Sequence, residues 1–108
     1  MAEERIVIAL STFPDVETAR RISNQLVTDN FVACANILAG MESIYRWKEK
    51  IETANETLVL FKVSEKRYRQ FQEQLRSLHP YDVPEIISVK VDSGLPEYLR
   101  WVAENCRS

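Results

Sequence analysis

The segment FVACANILAGMESIYRWKEKIETANETLVLFKV, residues 31–63, decides the fold of this 108-residue chain. It begins as an apolar run, loosens where Gly40 can accommodate a bulge, and continues with alternating residues through Trp47, a pattern typical of one long, bent strand. Residues 48–50 are short enough for a hairpin turn, and a returning strand follows as far as Val63. Because two strands of this length exceed those of an ordinary small sheet, we expect the hairpin to project from the body of the protein.

Shorter elements flank this hairpin. Before it, the apolar run Ile6–Leu10 predicts a buried strand, and Asp15 is a suitable cap for a helix that follows. After it, Ser64 caps a second helix, a fourth strand covers Ile86–Val91, and Pro96 begins a third helix. The order β-α-β-β-α-β with an added C-terminal helix predicts an α+β fold of the split βαβ type, with a four-stranded antiparallel sheet and helices on one face. The other face would then be covered by neighbouring subunits.

Length and composition favour one globular domain over residues 1–108. The formal net charge of −2 gives no electrostatic footprint for DNA or RNA. The N-terminus lacks the basic start and the long apolar stretch of a signal peptide, and no apolar run approaches membrane-spanning length. Two cysteines are too few for a disulfide framework. We therefore expect a cytoplasmic protein with free thiols and without a nucleic-acid or membrane partner.

The segment HPYDVPE, residues 79–85, is the strongest candidate for a functional site. His79 is the only histidine of the chain, and the proline after it ends the preceding helix. Tyr81, Asp82 and Glu85 add a phenol and two carboxylates to a segment that two prolines stiffen. Rigid loops with mixed polar groups are typical of functional sites. The alternative is a tight helix-to-strand connection in which His79 caps carbonyl groups.

Three further residues could carry chemistry. Cys34 lies in an apolar run, where a small buried hydrophobe is the favoured interpretation over a soft ligand for Cu(I) or Zn. Lys62 interrupts an apolar strand and either reaches solvent or holds a buried anion. Trp101 and Tyr98 are expected to pack in the core or at an interface. The chain has no structural zinc spacing, P-loop or nucleophile elbow, so we expect a protein that is not an enzyme.

The chain resembles the CutA divalent-cation tolerance family. Four segments carry the resemblance: VACANI at 32–37, SIYRW at 43–47, HPYDVPE at 79–85 and YLRW at 98–101. The resemblance implies a ferredoxin-like fold with an extended hairpin between the second and third strands, assembled into a trimer similar to that of the PII signalling proteins. It also implies binding of Cu(II) or other divalent cations, weak and not necessarily constitutive. One departure is Glu49, which stands where the family hairpin often has glycine.

The resemblance also implies that polar residues gather in clefts between subunits. In that interpretation His79 is the main nitrogen ligand of the metal, Glu85 is a carboxylate ligand or orients one, and Cys34 is a soft ligand. Lys62, Tyr81 and Trp101 line the same cleft. The alternative is a small-molecule sensor of the PII-like type, in which the Lys62 ammonium neutralises an anionic ligand. A structural trimer that scaffolds partners is a third interpretation, and an enzyme ranks last because no nucleophile–base pair is evident.

Overall fold

Residues 5–107 are described by a computed structural model, in which the predicted element order is confirmed. Four strands and three α-helices follow one another as β1 (Ile6–Phe13), α1 (Val16–Thr28), β2 (Cys34–Trp47), β3 (Lys50–Ser64), α2 (Tyr68–Leu78), β4 (Ile87–Lys90) and α3 (Pro96–Glu104). A single 3₁₀ turn, Glu65–Arg67, leads into α2. No helix within the described range is long and apolar enough to cross a membrane.

The four strands form one sheet in the order β2-β3-β1-β4, and every neighbouring pair is antiparallel. This is the strand order of the ferredoxin-like fold, so the predicted α+β class is confirmed. In the register, Ile8 of β1 lies opposite Lys62 of β3 and Val89 of β4, while Lys62 also lies opposite Cys34 of β2. These four residues therefore form one row across the sheet.

Helices α1 and α2 cover the first face of the sheet. The core between them is built from aromatic and branched side chains, of which Phe13, Phe61 and Phe71 are fully buried. Helix α1 begins where the sequence predicts, whereas α2 begins only at Tyr68, because Ser64 caps the 3₁₀ turn that precedes it. The Asp15 carboxylate accepts a hydrogen bond from the backbone N–H of Thr18 at 2.7 Å and so caps α1. The hydroxyl of Ser64 accepts one from the N–H of Arg67 at 3.3 Å.

The β2–β3 hairpin extends well beyond the rest of the sheet. Strand β1 pairs with β3 only over residues 57–64, so residues 41–56 pair solely with one another. A register shift between Leu38 and Met41, with Gly40 at φ 78°, confirms the predicted bulge. At the tip, Lys48 and Glu49 form a two-residue loop with φ values of 50° and 66°. This conformation is that of a type I′ turn, which glycine adopts more easily than either residue.

The second face of the sheet is covered only in part. Ile6 shares this face with Ile8, and it is buried in a small cluster with Ala33, Val102 and Cys106. Helix α3 therefore packs over one end of the second face, which differs from the expectation that the helices lie on one side. Elsewhere on this face large apolar side chains are exposed, for example Val89 at 54%.

Candidate functional site

His79 is buried directly after α2 and uses both of its ring nitrogens. The backbone N–H of Tyr81 donates to Nδ1 at 3.2 Å, so Nδ1 must be an unprotonated acceptor. Nε2 then carries the proton and donates it to the carbonyl oxygen of Thr12, which lies 2.9 Å away. This hydrogen-bonding assigns a neutral imidazole with one defined tautomer. The arrangement matches the alternative interpretation of this segment, a connection in which His79 caps a carbonyl group.

The surroundings of His79 favour the neutral ring. Its pKa is lowered from the usual value, chiefly because burial penalises the charged form. The hydrogen bond to the Thr12 carbonyl and the charge of Glu56 oppose this effect without reversing it. The ring also stacks on Phe13, with a centroid separation of 4.6 Å. His79 thus ties the end of α2 to the end of β1.

Tyr81 connects the 79–85 segment to the hairpin. Its hydroxyl donates to the Glu56 carboxylate at 2.6 Å, and its ring packs at a tilt against His79 with centroids 5.0 Å apart. The pKa of Tyr81 is raised well above its usual value, first by burial and then by the hydrogen bond to Glu56, which the phenolate could not donate. Glu56 did not emerge from the sequence, because no local pattern indicates a contact between residues 25 positions apart.

A second polar cluster lies on the second face of the sheet. Cys34 and Lys62 are opposite one another on neighbouring strands. The side-chain oxygen of Asn36 accepts a hydrogen bond from the Lys62 ammonium and lies 3.9 Å from the Cys34 sulfur. The thiol of Cys34 is only partly buried. Asn36 was missed at the sequence level, although a single polar interruption of the apolar run 31–38 was a usable signal.

The two clusters lie apart within one chain. Thr12, which holds His79, pairs with Leu58, four residues along β3 from Lys62. At about 3.3 Å per residue, this spacing corresponds to roughly 13 Å. Among residues 5–107, no three histidine, cysteine, aspartate or glutamate side chains come close enough together to hold a metal ion. The structure therefore does not join His79, Cys34 and Glu85, and their assignment as metal ligands stays a prediction.

The two remaining predicted cleft positions are exposed. Glu85 is exposed at the end of the 79–85 segment. Trp101 lies on α3, is 43% exposed, and stacks on Tyr98 with centroids 5.7 Å apart. Both residues are accessible to a second chain or a ligand, and neither belongs to the hydrogen-bonded cluster around His79.

These features define a class of protein: small, ferredoxin-like α+β chains with a projecting hairpin, a partly covered sheet face and a polar loop held by a buried histidine. Within that class, the chain belongs to the CutA family. The family model described as CutA1 divalent ion tolerance protein matches residues 7–105. The resemblance inferred from four short segments is thereby confirmed.

Individual relatives agree with this assignment. The divalent-cation tolerance protein CutA of Thermus thermophilus is 40% identical over 98 residues, which cover 91% of this chain and 95% of that protein. The crystal structure of CutA1 from Oryza sativa superposes with a TM-score of 0.93 at 30% identity, covering 97% of this chain and 96% of that one. A chloroplastic CutA protein of Arabidopsis thaliana is 30% identical over 94% of this chain, which spans 56% of that relative's length.

Proposed function

We propose that this protein is a non-catalytic homotrimer that binds Cu(II) or another divalent cation in a cleft between subunits, in the cytoplasm. The observation that carries the proposal is the thiol of Cys34, partly exposed on the sparsely covered second face of the sheet. A thiolate is a soft ligand that suits Cu(I) or Zn, and zinc is among the divalent cations that the proposal covers. Membership in the divalent-cation tolerance family supports a metal ion as the ligand. Binding would be weak, and the protein need not carry the ion constitutively.

A second subunit is part of the proposal because the groups of one chain are dispersed. A symmetric trimer would bring each exposed group near residues of a neighbour and so could complete a ligand set. Glu85 is exposed and could supply an oxygen ligand. His79 could serve as a nitrogen ligand only if it released either the Thr12 carbonyl or the Tyr81 N–H.

The metal site is tested by titrating Cu(II) into the protein in competition with a weak chelator. Cys34→Ser should weaken binding by about tenfold or more, since loss of even an orienting group costs about 10- to 100-fold. Cys106→Ser is the matched control, because that thiol is 5% exposed and should leave the affinity unchanged. Equal affinity in wild type and Cys34→Ser would remove Cys34 from the site, and His79→Ala tests the nitrogen ligand in the same way.

The trimer is tested separately by light scattering coupled to size-exclusion chromatography. Wild type should have three times the mass of the 12.6 kDa chain. Val89→Asp places a charge among the exposed apolar residues of the second face and should shift the mass toward that of one chain. A wild-type protein that is monomeric at micromolar concentration would contradict the assembly and, with it, the proposed cleft.

A second candidate function is an anion sensor, which the position of Lys62 favours. Its ammonium lies beside Asn36 and opposite Cys34 on the second face. A nearby ammonium opposes a bound cation, whereas an anionic ligand gains from it. Tyr81 and Trp101 would then pack around the organic part of the ligand.

A thermal-shift screen of anionic metabolites, with and without metal, separates the two functions. A ligand selective for the native state raises the unfolding temperature. The sensor predicts a metabolite whose effect disappears in Lys62→Gln. Stabilisation by metals alone, unchanged in Lys62→Gln, would contradict the sensor and favour the metal site.

A further inference from the structure

A cavity of about 420 Å³ lies between the start of α2 and the end of α3. It shares no lining side chain with the His79 cluster or with the Cys34 cluster. Its lining residues come from the 3₁₀ turn, the first turn of α2 and the C-terminal end of the described chain: Ser64, Lys66, Arg67, Gln70, Ala103, Cys106 and Arg107. Pockets that hold small ligands occupy about 300–1,000 Å³, so the volume suits a compact molecule.

The charges around this cavity have one sign. Lys66, Arg67 and Arg107 line it, and no acidic side chain of residues 5–107 does. The neighbouring acid, Glu65, pairs with Lys90, at 3.9 Å between Oε1 and Nζ. That contact is the one ion pair found within residues 5–107, so no carboxylate of the described chain lies within 4 Å of the charged nitrogens of Lys66, Arg67 or Arg107. Three cationic residues thus line one cavity of a chain whose formal net charge is −2.

Arg67 is held in a defined orientation. Its guanidinium lies over the ring of Phe31, 4.1 Å from the centroid, and its Nε donates to the carbonyl of Asn30 at 3.4 Å. These contacts occupy one face of the Arg67 guanidinium and its Nε. In the described part of the chain, no hydrogen bond engages the two terminal NH₂ groups. A planar fork fixed in this way is suited to bidentate contact with phosphate oxygens.

The backbone around the cavity contributes less than the side chains. At the start of the 3₁₀ turn, Glu65 N–H donates to the Arg5 carbonyl at 2.8 Å, and Arg67 N–H donates to the Ser64 hydroxyl at 3.3 Å. Two of the N–H groups that could face an anion are therefore already engaged. At the other wall, Arg107 Nε donates to the Glu104 carbonyl at 3.1 Å and offsets the negative end of α3.

The buried thiol in the wall adds no negative charge. Cys106 is 5% exposed, and burial raises the pKa of its thiol. Its sulfur lies 3.7 Å from the carbonyl oxygen of Lys62. The cavity therefore combines three cations, a polar amide from Gln70 and a neutral wall.

We infer that this cavity binds a small soluble anion bearing one or two phosphate groups. The positive residues line one cavity of a chain that is negative overall, which disfavours an extended polyanion such as nucleic acid. A phosphate offers oxygens to the guanidinium of Arg67, and its negative charge is attracted by Lys66 and Arg107. This site is independent of the proposed metal cleft, so either can fail without the other.

The test is a titration of the ¹⁵N-labelled full chain with sodium pyrophosphate, followed by amide chemical shifts. The largest shifts are expected at Lys66, Arg67, Gln70 and Arg107, with saturation at a single dissociation constant. Shifts centred on Lys62 and Asn36 would assign the anion to the second-face cluster and overturn the inference. Small shifts that are spread over the surface and do not saturate would overturn it as well.

Paired variants distinguish binding at this cavity from non-specific attraction to positive charge. The double variant Lys66→Gln, Arg107→Gln should raise the dissociation constant about tenfold or more, since a charge-assisted hydrogen bond contributes about 1.5–3 kcal/mol. The control Lys48→Gln, Arg20→Gln removes the same two kinds of charge from exposed positions outside the cavity and should change it less than about twofold. Equal weakening by both pairs would show charge attraction without a site.

Arg67→Lys provides a second, independent variant. It keeps the positive charge but removes the planar fork, so pyrophosphate affinity should fall while the amide spectrum confirms an unchanged fold. Unchanged affinity in Arg67→Lys would show that the fixed guanidinium does not bind the anion.

Discussion

Replacement of His79 by alanine should destabilise the protein strongly, although the residue is not in the apolar core. The substitution removes the donor to the Thr12 carbonyl, the acceptor for the Tyr81 N–H and the ring that stacks on Phe13. Leaving a buried carbonyl without its donor costs about 1–3 kcal/mol. Loss of the stacking contact adds about 0.5–1.5 kcal/mol. The free energy of unfolding should therefore fall by about 2–4 kcal/mol.

Urea unfolding at one fixed protein concentration measures this change, because the concentration affects the apparent stability of any oligomer. Asp82→Ala is the matched control, since Asp82 is exposed in the same segment and should change stability by less than about 0.5 kcal/mol. A loss below about 1 kcal/mol in His79→Ala, or an equal loss in Asp82→Ala, would refute the structural role assigned to the imidazole.

The same residue should make stability depend on pH. The folded protein holds His79 neutral with a lowered pKa, whereas the unfolded chain takes up its proton near the ordinary value of 6.5. As the pH falls below 6.5, the unfolded state binds more protons, so the stability that His79 contributes is present above this pH and is lost below it. For one group the slope cannot exceed about 1.4 kcal/mol per pH unit. The difference in stability between wild type and His79→Ala should shrink from pH 7 to pH 5, and a constant difference would refute the assignment.

Three further residues, Glu49, Tyr81 and Cys106, each give a testable prediction. Glu49→Gly should stabilise the hairpin by about 0.5–1 kcal/mol, because glycine adopts the left-handed conformation at φ 66° without strain. The greater conformational entropy of glycine in the unfolded chain offsets part of this gain. A lower melting temperature would contradict the prediction. Tyr81→Phe should lower the free energy of unfolding by about 1 kcal/mol through the missing hydrogen bond to Glu56. In ultraviolet titration it should remove the ionisation of a tyrosine whose pKa is raised. Cys106 should resist iodoacetamide until denaturant is added, and equal labelling rates with and without denaturant would argue against its burial.

The elements of the fold were predictable because their signals are local. Asp15 caps α1 as expected, Ser64 caps the 3₁₀ turn that leads into α2, and the bulge falls at Gly40. The first strand extends to Phe13, beyond the predicted apolar run Ile6–Leu10, because the pairing with β3 continues as far as Thr57. Pairing between distant segments thus sets boundaries that an apolar pattern does not show.

The candidate site was predictable only as a list of residues. His79 stood out in the sequence as the only histidine, but its partner Thr12 is 67 positions away and contributes a backbone carbonyl that no residue type indicates. The sheet face that α3 covers was also not predictable, because the apolar stripe of a helix does not indicate which face of a sheet it packs against. Asn36 lay within reach of sequence reasoning, since it is the single polar interruption of the apolar run 31–38.

The projecting hairpin determines which part of the protein unfolds locally. Residues 41–56 are held in one chain by a two-stranded ribbon alone, and such ribbons are only marginally stable in water. The two strands of the ribbon can therefore separate locally as far as the bulge at Gly40. The core around Phe61 and Phe71 stays folded when this happens. Amide hydrogen exchange beyond the bulge then reports how far another surface protects the ribbon, independently of global unfolding. Exchange rates in residues 41–56 would therefore measure association of the hairpin with another chain.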